Sequence, residues 1–218
     1  MSATNALAAD THDTVPKLLL RNASQYGNRP AMRHKDFGIW QTWTWSRVRD
    51  EVRSFAVGLR KLGLERGEAV AIIGDNRPRL YAAFAAVQSV GGIAVPSYQD
   101  SVAEEMAYVL DHAEVKFAIV QNQEQVDKLI SVADRLPHLR MVIYEEERGL
   151  VSYDHTRLQS FETVQKLGRE EMRKNAGATG WWQDEIAKGK GSDVSVMLYT
   201  SGTTGRPKGV ILTHDNIV

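Results

Sequence analysis

Residues 200–209 combine the side chains and backbone that suit phosphate binding. The glycines let the backbone curl so that several N–H groups point into one concavity, and hydroxyl groups add further donors. A lysine near the end adds positive charge. The order is Thr200-Ser201-Gly202-Thr203-Thr204-Gly205-Arg206-Pro207-Lys208-Gly209. Two short apolar runs flank this segment, and each predicts a strand.

Two other interpretations of this loop compete with phosphate binding. Gly, Ser, Thr and Pro are the usual residues of mobile surface linkers, so composition alone favours a linker. Ordinary hairpins need only about two to five loop residues, however, and this connection is longer. The P-loop of nucleotide triphosphatases has a Lys directly after its last Gly and then a helix. Here Arg206 and Pro207 follow Gly205, so a kinase or GTPase loop is not expected.

Strand and helix signals alternate along most of the chain. Apolar runs predict strands at residues 69–73, 93–95, 117–120, 140–144, 194–199 and 210–212. Between them, helices are predicted from the N-cap candidate Ser46 to Gly63, and at 78–90, 102–112, 124–135 and 161–174. This alternation predicts an α/β fold with a mainly parallel sheet covered by helices.

Three regions depart from this alternation. An aromatic run at residues 39–45 predicts a strand or ribbon. The pattern weakens from residue 145 to 190, where Glu145-Glu146-Glu147-Arg148 is expected to be a solvated turn. Trp181 and Trp182, in the Gly-containing stretch after 174, favour buried packing over a partner surface.

The expected organisation is an N-terminal α/β subdomain at 1–190, followed by a phosphate-loop hairpin and the start of a second subdomain at 191–218. Thr213 and Asp215 resemble residues that open a new helix, and a domain rarely stops in a first helical turn. We therefore expect a truncated chain.

Composition excludes several classes of function. The chain has 27 Lys and Arg and 27 Asp and Glu, so no net positive field favours nucleic acid. It has no Cys, which excludes disulfides and thiolate nucleophiles and fits a cytoplasmic setting. The six His are scattered without chelating spacing, so no metal cluster is expected. The most apolar stretch, residues 81–95, is interrupted and too short to span a bilayer.

The segment YTSGTTGRPKGVILTH resembles the phosphate-loop signature of the adenylate-forming (AMP-binding) superfamily, which includes acyl-CoA synthetases, luciferases and nonribosomal-peptide adenylation domains. Upstream, TWTWSRVRDEVRSFAVGLRKLGLERGEAVAIIGDNRPRLYAAFAAVQSVGGIAVPSY is similar to the N-terminal part of that family, especially of long-chain fatty acyl-CoA synthetases. The resemblance covers nearly the whole chain and is weakest at 145–190. It implies the N-terminal portion of the large domain of an acyl-CoA synthetase-like fold.

The resemblance implies a two-step reaction with ATP, Mg²⁺ and coenzyme A. A carboxylate attacks the α-phosphate of ATP with loss of pyrophosphate, and a thiol then displaces AMP. By motif position, the residues around the β- and γ-phosphates are Thr200, Ser201, Gly202, Thr203, Thr204 and Gly205. Lys208 is expected to contact phosphate, Thr200 to help hold magnesium, and Arg206 to face solvent. His214 is placed near the acyl substrate, although a histidine at a helix start more often caps or is solvated.

In the family, most of the active site lies beyond the position of Val218. This later part contains the adenine-stacking motif, the ribose-binding aspartate, the magnesium-binding acid, the hinge and the catalytic lysine. We therefore expect no catalytic residue within this chain and no turnover from it alone. Two alternatives stay open: a non-catalytic nucleotide-binding module, and a ligase for an aryl acid or an amino acid. The expected partners are small molecules, and peripheral membrane contact is compatible with lipid substrates. Chain length of the acid and oligomeric state are not fixed by the sequence.

Overall fold

The computed structural model describes residues 12–200 and 207–218. Within them, its strands are β1 (Pro30–Asp36), β2 (Ile39–Thr44), β3 (Ala69–Ile73), β4 (Ile93–Ser97), β5 (Phe117–Val120), β6 (Met141–Tyr144), β7 (Leu158–Ser160), β8 (Val194–Thr200) and β9 (Lys208–Thr213). Its α-helices are α1 (Val15–Tyr26), α2 (Trp45–Lys61), α3 (Pro78–Ser89), α4 (Ala103–His112), α5 (Gln123–Ser131), α6 (Phe161–Lys174) and α7 (Gly177–Lys188). Two 3₁₀ turns lie at Ala133–Arg135 and His214–Asn216.

A single sheet of seven strands organises the described residues, in the order β7-β6-β5-β3-β4-β8-β9. Every neighbouring pair is parallel except β8 and β9, which are antiparallel. The predicted α/β fold with a mainly parallel sheet is confirmed. Strands β1 and β2 form a separate antiparallel ribbon. The predicted domain boundary at residue 190 stays a prediction.

The sheet is covered on both faces because its central strands carry apolar residues at consecutive positions. In β3, Val70 and Ile72 pack in one core cluster with α2, α3 and α6. The alternate residues Ala71 and Ile73 pack in a second cluster with α4 and α5. All five residues of β3 and all four of β5 are buried. This burial explains why both strands appear in the sequence as continuous apolar runs.

Helices α2 and α6 approach each other closely enough to require glycine at the contact. A Cβ atom on Gly58 would overlap the carbonyl oxygen of Val164, and a Cβ atom on Gly168 would overlap that of Ser54. Nearby, the rings of Phe55 and Phe161 are stacked with their centres 3.8 Å apart. This pair of helices covers one face of the sheet at close backbone contact.

The start of α2 differs from the prediction. Thr44, and not Ser46, is the N-cap: its backbone is extended and its hydroxyl accepts a hydrogen bond from the Arg47 N–H at 3.2 Å. The Ser46 N–H donates instead to the carbonyl of Gly27 at 2.9 Å. Both residues are good N-caps by type, and the end of β2 decides between them.

Four elements have no counterpart in the sequence prediction: α1, β1, β7 and α7. Helix α7 forms although it contains Gly177 and Gly180, because burial of Trp182 outweighs weak helix propensity. The Trp182 ring is 1% exposed, and its Nε1 donates to the hydroxyl of Ser89 at 2.9 Å. The predicted buried packing is confirmed for Trp182. Trp181 is partly buried, with the Arg60 guanidinium 4.9 Å from its ring centre.

Among the described residues, no helix combines the length and the apolarity that crossing a bilayer requires.

Candidate functional site

The loop of interest is held by the antiparallel pair β8 and β9. Thr200, the last residue of β8, is the pairing partner of Lys208, the first residue of β9. The connection is therefore residues 201–207 and not the predicted ten-residue loop, because strand pairing takes up Thr200, Lys208 and Gly209. It still exceeds the two to five residues of an ordinary hairpin.

Five of the predicted phosphate-binding residues, together with Arg206, lie outside the described residues. These five are Ser201, Gly202, Thr203, Thr204 and Gly205. The structure describes the two stems on either side of them. Thr200 and Lys208 are both exposed, and no ion pair joins Lys208 to another described residue. The stems thus present a hydroxyl and a cation to solvent from adjacent strand ends, and phosphate binding by this loop stays a prediction.

The stems lie at the carboxyl edge of the sheet. Strands β3, β4, β5, β6 and β8 run in the same direction, so Thr200 lies at the same edge as the ends of the other four strands. Ligands of open parallel sheets bind in the crevice outside this edge. The fold therefore places the two stems of the loop at the edge where ligands of such sheets bind.

Helix α4 contacts both stems through polar side chains. The Tyr108 hydroxyl donates to the carbonyl of Pro207 at 3.3 Å. One turn later, the Nδ1 atom of His112 lies 2.7 Å from the Tyr199 hydroxyl, with the two rings edge to face. Burial raises the pKa of Tyr199, and the nearby Tyr108 raises it further, so Tyr199 stays neutral at physiological pH. Helix α4 is thus bonded to the residue before Thr200 and to the residue before Lys208.

Gly209 allows the ring of Tyr199 to pack across the strand pair. The two residues are partners in the β8–β9 ladder. A Cβ atom on Gly209 would lie 3.3 Å from the Tyr199 ring, which is tighter than an ordinary contact. The glycine after Lys208 therefore has a packing role at the base of the loop, which its place in the motif did not indicate.

Ser97 is a further polar group at this edge that sequence reasoning missed. It ends β4, the strand next to β8, and its hydroxyl is enclosed without a hydrogen-bond partner among the described residues. A buried hydroxyl without a partner is uncommon and leaves a donor available. The signal was present in the sequence, because Ser97 is the polar residue that closes the apolar run 93–96.

A network of hydrogen bonds fixes the neighbouring strand ends. The Asp75 N–H donates to Oε1 of Gln121 at 2.6 Å, and Gln99 donates to the Asp75 carboxylate at 2.7 Å. Arg77 pairs with Glu146 at 2.7 Å, and Gln121 donates to the same carboxylate at 3.3 Å. The sequence predicted a solvated turn here. The structure differs, because Glu146 is partly buried and hydrogen-bonded. These bonds hold the loops after β3, β5 and β6 together.

The adjacent Glu145 also departs from the solvated-turn prediction. Burial raises its pKa, while Arg79 and Arg77 oppose the rise. The next two residues, Glu147 and Arg148, are exposed as predicted.

His214 lies at the opposite end of β9 from the loop. His214 comes six positions after Lys208, directly beyond the end of β9, which corresponds to about 20 Å at the usual strand rise. His214 is 5% exposed, and its Nδ1 accepts a hydrogen bond from the N–H of Val15 at 3.4 Å. It therefore accepts from the first turn of α1, whereas the sequence suggested capping or solvation at its own helix start, where Thr213 is the N-cap. Contact of His214 with substrate stays a prediction.

The His214 ring borders a cavity of about 250 Å³ at the amino ends of β4 and β8. Burial lowers the pKa of His214, and the carboxylates of Asp193, Asp13 and Asp215 partly oppose this. The neutral ring is the form that accepts from the Val15 N–H.

No group of three or more His, Cys, Asp or Glu within the described ranges has the geometry of a metal site. The Thr200 hydroxyl is a suitable oxygen ligand for Mg²⁺, which takes one or two protein ligands and completes its shell with water and phosphate. Its predicted role with magnesium stays a prediction.

The sequence profile of the AMP-binding enzyme family matches residues 19–218, which is nearly all of the chain. The chain belongs to the AMP-binding enzyme family. The phosphate-loop segment and the whole described sheet lie within the matched residues.

Curated relatives within the AMP-binding enzyme family include long-chain-fatty-acid–CoA ligases. The ligase ACSBG2 of Xenopus laevis is 32% identical over 205 residues, covering 94% of this chain and 26% of that protein. The ligase ACSBG2 of Rattus norvegicus is 34% identical over 209 residues, covering 95% of this chain and 30% of that protein. The chain thus spans less than a third of the length of these relatives.

Solved structures of similar fold include long-chain-fatty-acid–CoA ligases and also proteins whose names or ligands indicate other acids. An anthranilate CoA ligase, AuaEII, in complex with anthranoyl-AMP has a TM-score of 0.71 at 22% identity and covers 93% of this chain and 35% of its own. The protein VinN, in complex with L-aspartate, has a TM-score of 0.70 at 25% identity and covers 94% of this chain and 45% of its own. The described fold is therefore that of acyl-CoA synthetase-like, adenylate-forming enzymes.

Proposed function

We propose that this chain supplies the phosphate-binding part of an ATP-dependent ligase that activates a long-chain fatty acid as its acyl adenylate and then passes the acyl group to coenzyme A. The observation that carries the proposal is the pairing of Thr200 with Lys208 at the carboxyl edge of the sheet. This pairing sets an exposed threonine and an exposed lysine at the two ends of a glycine-containing loop.

In the first step, a carboxylate oxygen forms a bond to the α-phosphorus of ATP while the bond from that phosphorus to the bridging oxygen of the β-phosphate breaks. The electron pair leaves with pyrophosphate, so negative charge grows on the β- and γ-phosphates. In our proposal, Lys208 neutralises this charge, and hydroxyls and backbone N–H groups of residues 200–205 donate hydrogen bonds to it. Bound Mg²⁺, with Thr200 as one of its ligands, would supply further positive charge.

Helix α4 has a positioning role in this proposal. Tyr108 bonds to the carbonyl directly before Lys208, and His112 to the side chain directly before Thr200. Fixing both stems reduces the conformational freedom that the loop would lose on binding a nucleotide.

The choice of a fatty acid rests on the relatives with 32% and 34% identity, which are long-chain-fatty-acid–CoA ligases. An aryl acid or an amino acid is the alternative substrate class, and the likeness to the anthranilate ligase and to the L-aspartate complex supports keeping both in the test. Each alternative keeps the adenylation step and changes only the acid.

The test is carboxylate-dependent exchange of labelled pyrophosphate into ATP by the protein expressed to the natural end of its reading frame. Short-chain, long-chain, aryl and amino acids are compared at equal concentration. Exchange that depends on long-chain acids supports the proposal, and preference for another class replaces the fatty acid in it. Absence of exchange with every acid, in folded protein that binds ATP, would instead support a non-catalytic nucleotide-binding module.

The 218-residue chain is tested in parallel. We propose that it supports no exchange by itself, because it spans less than a third of the length of the ligases it resembles. Exchange by this chain at a rate comparable to that of the longer protein would contradict this part of the proposal.

A further inference from the structure

The ribbon of β1 and β2 ends in an exposed aromatic residue. The strands are joined by a two-residue turn in which both Phe37 and Gly38 have positive φ, 46° and 80°. Such turns favour Asn-Gly or Gly-Gly, because a bulky residue at positive φ is strained. Phe37 nevertheless occupies the first position and is 97% exposed. Neither the turn nor internal packing accounts for an aromatic residue there.

The outward face of the ribbon carries cations beside another exposed aromatic ring. Lys35 is paired with Trp40, and Arg33 with Thr42, so these four side chains share one face. All four are exposed, and the Arg33 guanidinium lies 5.4 Å from the centre of the Trp40 ring. The opposite face ends at its base in the buried Trp43. The ribbon therefore packs against the rest of the protein through one face, and its other face is exposed to solvent.

Three exposed apolar residues lie at the turn or directly after it, with Ile39 on the face opposite to Trp40. Phe37, Ile39 and Trp40 are 97%, 65% and 58% exposed, and none of them belongs to either core cluster. Single exposed apolar residues are normal, but three together at a projecting turn indicate a contact surface. The one acidic residue of the ribbon, Asp36, is paired with Ile39 and lies on the other face from Lys35 and Trp40.

We propose that this ribbon tip, residues 33–40, inserts into the surface of an anionic lipid bilayer. Aromatic rings, Trp above all, favour the headgroup region, where an apolar body and a polar edge are both accommodated. Arg33 and Lys35 would meet the negative headgroups while Phe37 and Ile39 enter the boundary with the acyl chains, at the depth of about 5–10 Å typical of interfacial segments.

The shape of the ribbon favours a bilayer over a protein partner. A stable protein interface buries about 800 Å² on each partner. A two-stranded tip of eight residues offers a narrow edge and no broad face. A fluid headgroup layer needs no complementary shape, and the alternation of cation and aromatic ring on one face matches its charge and polarity.

The experiment measures sedimentation of the protein, expressed to the natural end of its reading frame, with vesicles of phosphatidylcholine containing about 30% phosphatidylglycerol. No ATP or acid is present, so the result is independent of the proposed catalytic function. The wild type is expected to bind, and Phe37→Glu and Trp40→Glu each to weaken partitioning at least about tenfold, because each removes one buried aromatic side chain. The double variant Arg33→Glu with Lys35→Glu is expected to abolish the electrostatic contribution to vesicle binding, which is the contribution that added salt weakens.

Val151→Glu is the matched control, because Val151 is an apolar residue that is 87% exposed away from the ribbon. It should bind vesicles as the wild type does. Circular dichroism and thermal unfolding confirm that each variant is folded, which the high exposure of these side chains leads us to expect. Wild-type protein that does not sediment with vesicles, or that binds equally well after Phe37→Glu and Trp40→Glu, overturns the proposal. Self-association that Phe37→Glu abolishes, without vesicle binding, would overturn it in favour of a contact between protein copies.

Discussion

The two ends of the β8–β9 strand pair are built in opposite ways. At the loop end, Thr200 and Lys208 are exposed, and α4 contacts the stems through polar side chains of Tyr108 and His112. At the other end, His214 is buried and accepts a hydrogen bond from the first helical residue of α1. The loop end thus presents an exposed threonine and an exposed lysine to solvent, whereas His214 at the other end is buried and hydrogen-bonded.

Backbone hydrogen bonds further stabilise the closed end of the strand pair, which is the end at His214. The His214 N–H donates to the carbonyl of Asp193 at 3.1 Å, and the Asp215 N–H to that of Gly191 at 2.8 Å. The Gly191 N–H in turn donates to the Asp13 carboxylate at 2.9 Å. In our proposal, the same two strands therefore separate two tasks: phosphate binding at the carboxyl edge, and attachment of α1 at the amino edge.

The largest expected effect is on activity, and it concerns the open end of the strand pair, where Thr200 and Lys208 are exposed. Lys208→Gln should lower kcat/KM for pyrophosphate exchange by about 100-fold, because one donor to the developing charge is removed. The free energy of unfolding should change by less than about 0.5 kcal/mol, since the side chain is exposed. Lys166→Gln, at an exposed position on α6, is the matched control for loss of a lysine. Equal activity of the two variants would remove Lys208 from the proposed site.

The next effect is on stability at the closed end. His214→Ala should lower the free energy of unfolding by about 1–3 kcal/mol, because a buried side chain is removed and the partly buried N–H of Val15 loses its acceptor. Denaturant unfolding measures this, and exchange activity per folded molecule should be retained. His214→Gln, which can still accept from Val15, should recover part of the stability. Loss of exchange at unchanged stability would instead favour the substrate contact implied by the family resemblance.

A smaller effect is expected from the contacts of α4 with the stems. Tyr108→Phe removes the hydroxyl that bonds to Pro207 and keeps the ring. We expect the KM for ATP to rise about 2- to 10-fold, which corresponds to the free energy of one hydrogen bond, and kcat to change little. Tyr81→Phe is the control, because the Tyr81 hydroxyl bonds to Asn76 at an exposed position. A fall in kcat at constant KM would contradict a positioning role.

The smallest effect concerns pH at the closed end. Because burial lowers the pKa of His214 below its usual value of about 6.5, the folded state binds the proton less readily than the unfolded state. The stability that depends on neutral His214 is complete above about pH 6.5 and is lost as pH falls through the lower folded-state pKa. Unfolding measured from pH 7.5 to 5 should therefore show a steeper decline for the wild type than for His214→Gln. Parallel curves would mean that His214 does not contribute to the pH dependence.

The sheet could be predicted from the sequence because its strands are buried on both faces. Residues 69–73 and 117–120 form continuous apolar runs, and the structure has β3 and β5 with the same bounds. Helix α6 was also predicted with its observed bounds, since its apolar positions recur at helical spacing. The elements that were missed have weaker signals. Strand β7 has three residues, and α7 contains two glycines and depends on tertiary burial of Trp182.

The candidate site could be predicted only as a motif. The order of residues 200–209 indicated phosphate chemistry, but no local pattern connects Tyr108 and His112 with a loop about 90 residues later. Ser97 had a weak local signal as the polar end of a strand. The position of His214, far along β9 from Lys208, follows from the extended geometry of the strand. Contacts between distant segments depend on topology, which single-sequence patterns do not contain.

The close approach of α2 and α6 constrains how this protein can be recombined with its relatives. Gly58 and Gly168 face the backbone of the opposite helix, so each is required by the path of the other segment and not by its own helix. Consider a chimera that takes residues 45–61 from one parent and 161–174 from another. Its two helices can approach as closely as here only if both parents have small residues at positions 58 and 168. Crossover points that keep the two helices together should therefore give folded proteins more often than points that separate them.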